Sequence, residues 1–380
     1  MHPANAEDLG RRSGESLERV LDGRTWDDFC ESLKSARAAL FRESSPANAF
    51  DRAEGYRYLS RLLRVALERF VEHADPGHPR FYQMARADAK LGADNPDCRY
   101  QNCALDGSRE YRIRGRRGTS TYLGIGAYYG HYGERGPSGC SGFLDSADLV
   151  LDADGSFEIV LSAKPQAGNW IPMEPRTSSL VVREFFLDRA TEIPAELEIE
   201  CLGVNAPPAP LDPAALDRAL ATTAAFVKGS ADLFTSWAEG FAKHPNELHA
   251  PPDSLRAPAH KAANQVFYHG YWKLAPDEAL LITARPPVCR YWNFQLNNYW
   301  LESLDYRYHP ITVNKHSVRL EPDGSFLIVV SARDPGIGNW IDTAGHTHGT
   351  MGLRWNMAID PPQPVCRVAR YADLRVNHPA

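Results

Sequence analysis

The sequence has no apolar run long enough to span a bilayer. It has no excess of positive charge either. A formal net charge of −6 offers no electrostatic footprint for nucleic acid or an anionic membrane surface. Seven cysteines are scattered along the chain without a Cys-x-x-Cys pair, which argues against a disulfide framework and for reduced, mostly buried thiols in the cytoplasm. The first residues, Met1 to Asp8, lack a basic stretch followed by an apolar one, so no secretory signal is expected. Also missing are the Rossmann and P-loop glycine patterns, a Gly-x-Ser-x-Gly elbow, a His-Glu-x-x-His helix and iron–sulfur spacings. Gly124-x-Gly126 is no substitute, because no helical pattern follows it. These absences argue against redox chemistry on a tightly bound nucleotide.

What is present is an internal repeat. Asp154-Gly155-Ser156-Phe157 returns as Asp323-Gly324-Ser325-Phe326, and Gly168-Asn169-Trp170-Ile171 as Gly338-Asn339-Trp340-Ile341. Ile113 to Tyr122 and Ile282 to Tyr291 keep the 169-residue offset of the Asp-Gly-Ser-Phe block, and Gly-Asn-Trp-Ile is offset by one residue more. A repeat of this length points to a duplicated domain, with a pseudo-symmetric interface where a pocket can sit.

The spacing predicts a helical N-terminal region over 1–93, a first β domain over 94–205, a helical connector over 206–263 and a second β domain over 264–380, a repeat of the first. Asp51 and Glu54 form an apparent capping box. Tyr58, Leu59, Leu62, Leu63, Ala66, Leu67 and Phe70 follow at helical spacing, with Arg57, Arg61, Arg64 and Arg69 on what reads as a solvated face. Asp212-Pro213 opens the connector helix, with a break expected at Gly229. The β regions consist of short Val-, Ile-, Tyr- and Phe-rich runs between turns. Asp106-Gly107 and Asp154-Gly155 read as hairpins. The expected fold is mainly β with helical additions: two tandem, related antiparallel β-sandwich-like domains plus N-terminal and central helices.

Several residues carry candidate chemistry. Asn in Gly-Asn-Trp-Ile suits a loop whose amide holds the backbone while the indole seals a surface. Trp170 and Trp340 are thus core plugs at corresponding corners, or they line a pocket, with Trp340 taken as the substrate contact. Arg183 and Arg354 sit in strands beside aromatics, as ion pairs or cation–π partners, or as clamps on a substrate anion. The copies differ most after the Trp. His346 and His348 lie two apart and face one way in an extended segment, which suits a divalent metal pair, an acid/base role for His346, or simple hydrogen bonding. The run from Tyr122 to Gly133 is a surface loop, or a lid that closes His131 over an apolar ligand. In Tyr291-Trp292-Asn293-Phe294-Gln295-Leu296, the residues Tyr291, Asn293 and Gln295 share a polar face that meets solvent or lines a cavity. Trp300, Asp305 and Tyr306 follow.

From Tyr291 to Leu296, through Trp300 to Asp305, Asp323-Gly324-Ser325, Gly338 to His346 and Arg354, the sequence resembles the bacterial family called domain of unknown function 1214, with Tyr111 to Gly118 resembling its tandem arrangement, often found with domain of unknown function 1254. That resemblance covers about 94–371 and implies two related β sandwiches, without an activity. The resulting expectation is a non-redox lyase or hydrolase for a small aromatic or terpenoid-like molecule. His346 would be its acid/base or a metal ligand with His348. Arg354, Asp305 and Tyr306 would share the catalytic centre, and Tyr291, Asn293, Gln295, Trp300, Trp340, Arg183 and His131 would hold substrate. No other cofactor is expected. The alternatives are a non-catalytic binding protein for a small hydrophobic or aromatic molecule and an assembly module, with a homo-oligomer left open.

Overall fold

A computed structural model describes residues 6–134, 136–250 and 265–377. Residues 1–5, the last part of the expected connector (251–263), the expected first residue of the second domain, Asn264, and the last three residues lie outside that set. The N-terminal region folds as α1 (Ala6–Asp22), α2 (Arg24–Ala36), a 3-10 turn (Arg37–Phe41) and α3 (Ala49–Leu67), which ends in a π turn (Glu68–Glu72). The cap of α3 is Asn48, three residues before the expected Asp51. Asn48 Oδ1 accepts from the Asp51 amide at 3.0 Å, which places Asp51 and Glu54 inside the helix and frees their carboxylates for other partners. The arginines of α3 are not all solvated. Arg61 donates to the fully buried Glu302 at 2.8 Å.

The first domain holds β1 (Cys98–Ala104), β2 (Tyr111–Arg116), β3 (Tyr122–Tyr129), β4 (Gly139–Asp145), β5 (Ser156–Ser162), β6 (Asn169–Pro172), β7 (Ser179–Phe185) and β8 (Glu196–Cys201). The second holds β9 (Gln265–Lys273), β10 (Glu278–Ala284), β11 (Tyr291–Leu296), β12 (Thr312–Asn314), β13 (Phe326–Ser331), β14 (Asn339–Asp342), β15 (His348–Asn356) and β16 (Val365–Arg370). Each domain is a sandwich of two four-stranded sheets. The orders are β1-β7-β3-β4 over β6-β5-β2-β8, and β9-β15-β11-β12 over β14-β13-β10-β16. Every strand of the first copy therefore has a counterpart at the same place in the second.

Two details depart from the sequence expectation. The pairs β5–β6 and β13–β14 are parallel. The Asp106-Gly107 and Asp154-Gly155 turns join strands of different sheets rather than closing hairpins within one. Both cores follow strand alternation. Leu123, Ile125, Leu180 and Val182 meet Ile113, Ile159 and Leu161 in the first, and Phe294, Leu353 and Trp355 meet Ile282, Phe326 and Ile328 in the second.

Helix α4 (Pro213–Phe241) runs between the domains in the chain, capped by Asp212, whose Oδ1 accepts from the Ala214 amide at 3.0 Å. It continues through Gly229 without a break. A Cβ at Gly229 would lie 2.5 Å from the Gly133 Cα, so the glycine serves close approach of the 130–138 loop. A third core, built on Tyr58, Leu62, Val65, Phe226, Phe234 and Trp300, joins α3 and α4 to the second sandwich. A short helix, α5 (Tyr371–Asn377), follows β16.

Candidate functional site

Strand alternation that sends Leu180 and Val182 into the first core turns Val181, Arg183 and Phe185 outward. The same logic on β15 turns Gly352 and Arg354 outward from the second. These two outward faces border one cavity of about 450 Å³. It is also lined by Tyr100 and Asn102 of β1, Tyr128 and Tyr129 of β3, Phe267 of β9 and Arg69 of the π turn. His131 and Tyr132 come from the loop after β3. The volume lies in the ordinary range for small-molecule sites, and such sites favour domain interfaces.

The lining is pseudo-symmetric. Arg183 stands opposite Tyr100 in the β1–β7 ladder, and Arg354 stands opposite Phe267 in the β9–β15 ladder. The arginines differ in their partners. Arg354 Nη1 donates to Gln295 Oε1 at 2.6 Å and to Asn293 Oδ1 at 3.3 Å, while its Nη2 donates to the Ala93 carbonyl. Asn293 and Gln295 are in turn tied to Asn95 Oδ1 and the Asp94 carbonyl. Arg183 Nη1 donates to the Tyr128 hydroxyl at 3.0 Å, and that ring also lies under its guanidinium. Among the described residues, no carboxylate oxygen comes within the 4.0 Å ion-pair distance of Arg69, Arg183 or Arg354. Two acids do line the cavity: Asp94, which accepts from the Ser303 amide and hydroxyl at 3.0 and 2.8 Å, and Glu134, whose Oε2 lies 3.9 Å from His131 Nε2. Burial holds the Asp94 carboxyl above its ordinary range.

Burial, reinforced by the charge of Arg69, pushes the His131 imidazole down to about 4. Its Nδ1 accepts from the Gly133 amide at 3.2 Å, which leaves the proton on Nε2. Burial pushes the Tyr128 phenol up, against the opposing pull of Arg183. Both groups are therefore neutral hydrogen-bonding groups at pH 7. The loop that carries His131 is docked on α4: His131 packs edge-on against Phe70 and near Phe226, and Tyr132 against Phe234.

Of the residues singled out in the sequence, Arg183, Arg354 and His131 meet at this cavity. Asn293 and Gln295 stand behind Arg354 and orient it. Tyr291 donates to Asp97 Oδ2 at 2.8 Å and stacks on Phe185 at the domain interface. The others lie elsewhere. Trp300 is in the helical core and donates to the Asp51 carbonyl. Asp305 is paired with Arg307, whose hydrogen bonds hold its carboxyl down at about 2, and the Tyr306 ring lies beneath Lys90. Trp340 caps its own sandwich, donating to the Ser331 carbonyl at 3.0 Å. His346 and His348 face α3. His346 Nε2 lies 3.0 Å from Glu54 Oε2, and His348 Nε2 lies 3.1 Å from Asp51 Oδ2. The remaining His348 nitrogen meets the Tyr271 hydroxyl at 2.7 Å. The two histidines do point one way, but each meets a different carboxylate. Sequence reasoning missed Arg69, Tyr100, Asn102 and Phe267. Arg69 was placed on a solvated face because helical periodicity sees only its own helix.

A model of the family described as "Protein of unknown function (DUF1214)" matches residues 100–186 and 277–356, one stretch in each sandwich. An uncharacterised protein from Burkholderia cenocepacia, known from a crystal structure, is 48% identical, with a TM-score of 0.90; the match covers 94% of this chain and 99% of that one. The VPA0106 protein from Vibrio parahaemolyticus matches at 12% identity and a TM-score of 0.47, over 89% of this chain and 100% of its own. No curated protein matches.

Proposed function

This chain belongs to the DUF1214 family, whose description records no activity, and we propose from its geometry that it binds a small aromatic or flat apolar molecule bearing an acid group. The observation that carries this reading is the set of three arginines, Arg69, Arg183 and Arg354, lining one cavity without a carboxylate partner among the described residues. Charge held in a partly dry site is costly unless compensated, and an anionic ligand supplies the compensation. Arg183 is the primary clamp, because one phenol is its only described hydrogen-bond partner and the rest of its fork is available for bidentate recognition. Arg354, fixed by two amides and a carbonyl, supplies a positioned positive field. Tyr100, Tyr129, Tyr132 and Phe267 make up an aromatic part of the wall against which the ligand body packs.

Binding is favoured over hydrolase or lyase chemistry by the state of the lining. His131 at about 4 and the raised Tyr128 are neutral near pH 7, and the Asp94 carboxyl, held up by burial, is already engaged by the Ser303 amide and hydroxyl. Seven unpaired cysteines suit a reducing compartment, and among the described residues no helix is long and apolar enough to cross a membrane.

The test is calorimetric titration of the full chain with a panel of aryl carboxylates and their matched neutral amides. Saturable binding of an acid, with its amide at least about tenfold weaker, is the expected result. Equal affinity for acid and amide would remove the anion from the argument. Recovery of a changed compound after incubation would restore the enzymatic reading.

A further inference from the structure

A second cluster lies away from the cavity, where the chain leaves α4 and meets β9. His244, Glu247 and His249, all exposed, each offer one ligand atom, and these atoms all lie within 4.8 Å of one another. Among the described residues no other set of three histidine, cysteine or carboxylate side chains converges in this way. We infer that this cluster is a binding site for a divalent transition ion of the zinc class. Two imidazoles and one carboxylate form a donor set that favours zinc and its neighbours over magnesium or calcium, which prefer all-oxygen shells. A tetrahedral ion with bonds of about 2.0–2.1 Å asks its ligand atoms to stand roughly 3.3 Å apart. The three side chains are exposed, so closing the remaining gap falls to their rotation.

The backbone beneath the cluster is fixed, which distinguishes it from a chance meeting of surface side chains. Residues His249 and His269 exchange both amide-to-carbonyl hydrogen bonds at 2.9 Å, tying one end of the loop to β9. Asn246 adopts a left-handed φ of 64°. Its amide proton goes to the Tyr271 carbonyl at 2.6 Å, and its side chain bonds both the amide and the carbonyl of Lys273 at 2.9 Å. Gly270 on β9 lets the loop come close, since a Cβ there would meet the Glu247 carbonyl at 2.0 Å. At the other end, the His244 amide donates to the Phe241 carbonyl as α4 finishes. The side chains are already partly assembled: His249 Nε2 lies 2.8 Å from Glu247 Oε2, and the His244 ring meets the His249 ring edge-on. An ion bound between imidazole and carboxylate takes the place of their hydrogen bond, the proton moving to the other ring nitrogen or to solvent, and leaves a fourth position for water. The bound ion closes the 244–249 loop on itself, and the His249–His269 backbone bonds join that loop to β9, the strand that carries Phe267 into the cavity.

The experiment titrates metal-free full-length protein with zinc sulfate, by calorimetry and by thermal unfolding. A single zinc bound with a dissociation constant of about 1 µM or tighter is expected, with a rise in Tm and no response to magnesium. H244A/H249A, checked for native circular dichroism, is expected to weaken zinc at least about a hundredfold, and E247Q about tenfold. H346A/H348A is expected to bind zinc as the parent does. X-ray absorption on the zinc-loaded protein reads two imidazole ligands. Retention of zinc affinity in H244A/H249A, its loss in H346A/H348A, a thiolate-dominated shell, or no saturable zinc binding would each overturn the assignment.

Discussion

The two sandwiches have the same strand order and place an arginine at the same point of the same strand, yet they surround it differently. In the second copy, Asn293 stands opposite Arg354 in the ladder and Gln295 follows two residues on, so amides fill the outward face of β11 and grip the guanidinium. In the first copy, the residue opposite Arg183 is Gly124, and Gly126 follows. No side chain reaches Arg183 from either position. The Tyr122 and Tyr128 hydroxyls lie where the missing side chains would begin, 2.6 Å from a Cβ at Gly124 and at Gly126 respectively. Duplication thus kept the scaffold and changed the surroundings: Arg354 is fixed by two amides and a carbonyl, whereas a phenol is the one described hydrogen-bond partner of Arg183.

Removing each arginine separates those roles, and gives the largest expected effect. Arg354→Met strands Asn293 Oδ1 and the Ala93 carbonyl and leaves Gln295 Oε1 with only the 3.3 Å bond from Asn293 Nδ2. Urea unfolding is expected to show a loss of about 3 kcal/mol or more. Arg183→Met strands only the Tyr128 hydroxyl. Its stability is expected to change by less than about 1 kcal/mol while affinity for an aryl carboxylate falls about a hundredfold. Equal stability losses would mean that the glycine face and the amide face hold their arginines alike.

The turns after the two tryptophans sharpen the contrast. In the first copy Arg176 lies over the Tyr129 ring, 3.7 Å from its centre, and the turn stays within its own domain. In the second, His346 and His348 reach Glu54 and Asp51 on α3. Burial works to raise both carboxyls, but hydrogen bonds from His346 and Asn298 to Glu54, and from His348 and Asn48 to Asp51, outweigh it and leave both below their ordinary values. Groups depressed in the folded state add stability that is present above the unfolded carboxylate range of about 4 to 4.5 and is lost as pH falls through the lower folded values. D51N/E54Q is therefore expected to cost about 2 kcal/mol at pH 7 and to flatten the acid limb of stability against pH, so that it approaches the parent near pH 3. Arg176→Ala in the first copy is expected to leave that limb unchanged. Denaturant midpoints across pH 3–7 check both, and parallel curves for parent and D51N/E54Q would remove these carboxylates from the linkage.

The duplication was readable because its marks are local. Gly-Asn-Trp-Ile recurs since the Asn amide bonds nearby backbone in both copies: Val150 and Glu158 for Asn169, Arg319 and Leu327 for Asn339. The two arginines were readable as oddities, charges inside aromatic strands. Their shared cavity was not, because it exists only once two sandwiches, a π turn and a loop docked on α4 come together. The same limit misplaced Asp51, Glu54 and Arg69. Helical periodicity assigned them a cap and a wet face, whereas their partners lie far along the chain, on β15, the turn before it and the cavity wall. A histidine pair two residues apart suggested a shared ion for a related reason: spacing says that both face one way, but not that two carboxylates wait there.

The smallest expected effect tests the equivalence of the copies most directly. Trp170 pairs beside Val160 in the β5–β6 ladder, and Trp340 beside Val329 in the β13–β14 ladder. Each half-buried indole donates to the carbonyl of the serine that ends the neighbouring strand, Ser162 at 3.3 Å and Ser331 at 3.0 Å. Phenylalanine keeps the ring and removes the donor, so Trp170→Phe and Trp340→Phe are each expected to cost about 1 kcal/mol. The two sites share no described partner, so the double variant is expected to be additive within about 0.5 kcal/mol. Neither indole borders the arginine cavity, so neither change is expected to move aryl carboxylate affinity. Unequal losses in chemical denaturation would show that these corners are stabilised differently in the two copies, despite identical strand order, and that divergence extends beyond the faces around Arg183 and Arg354.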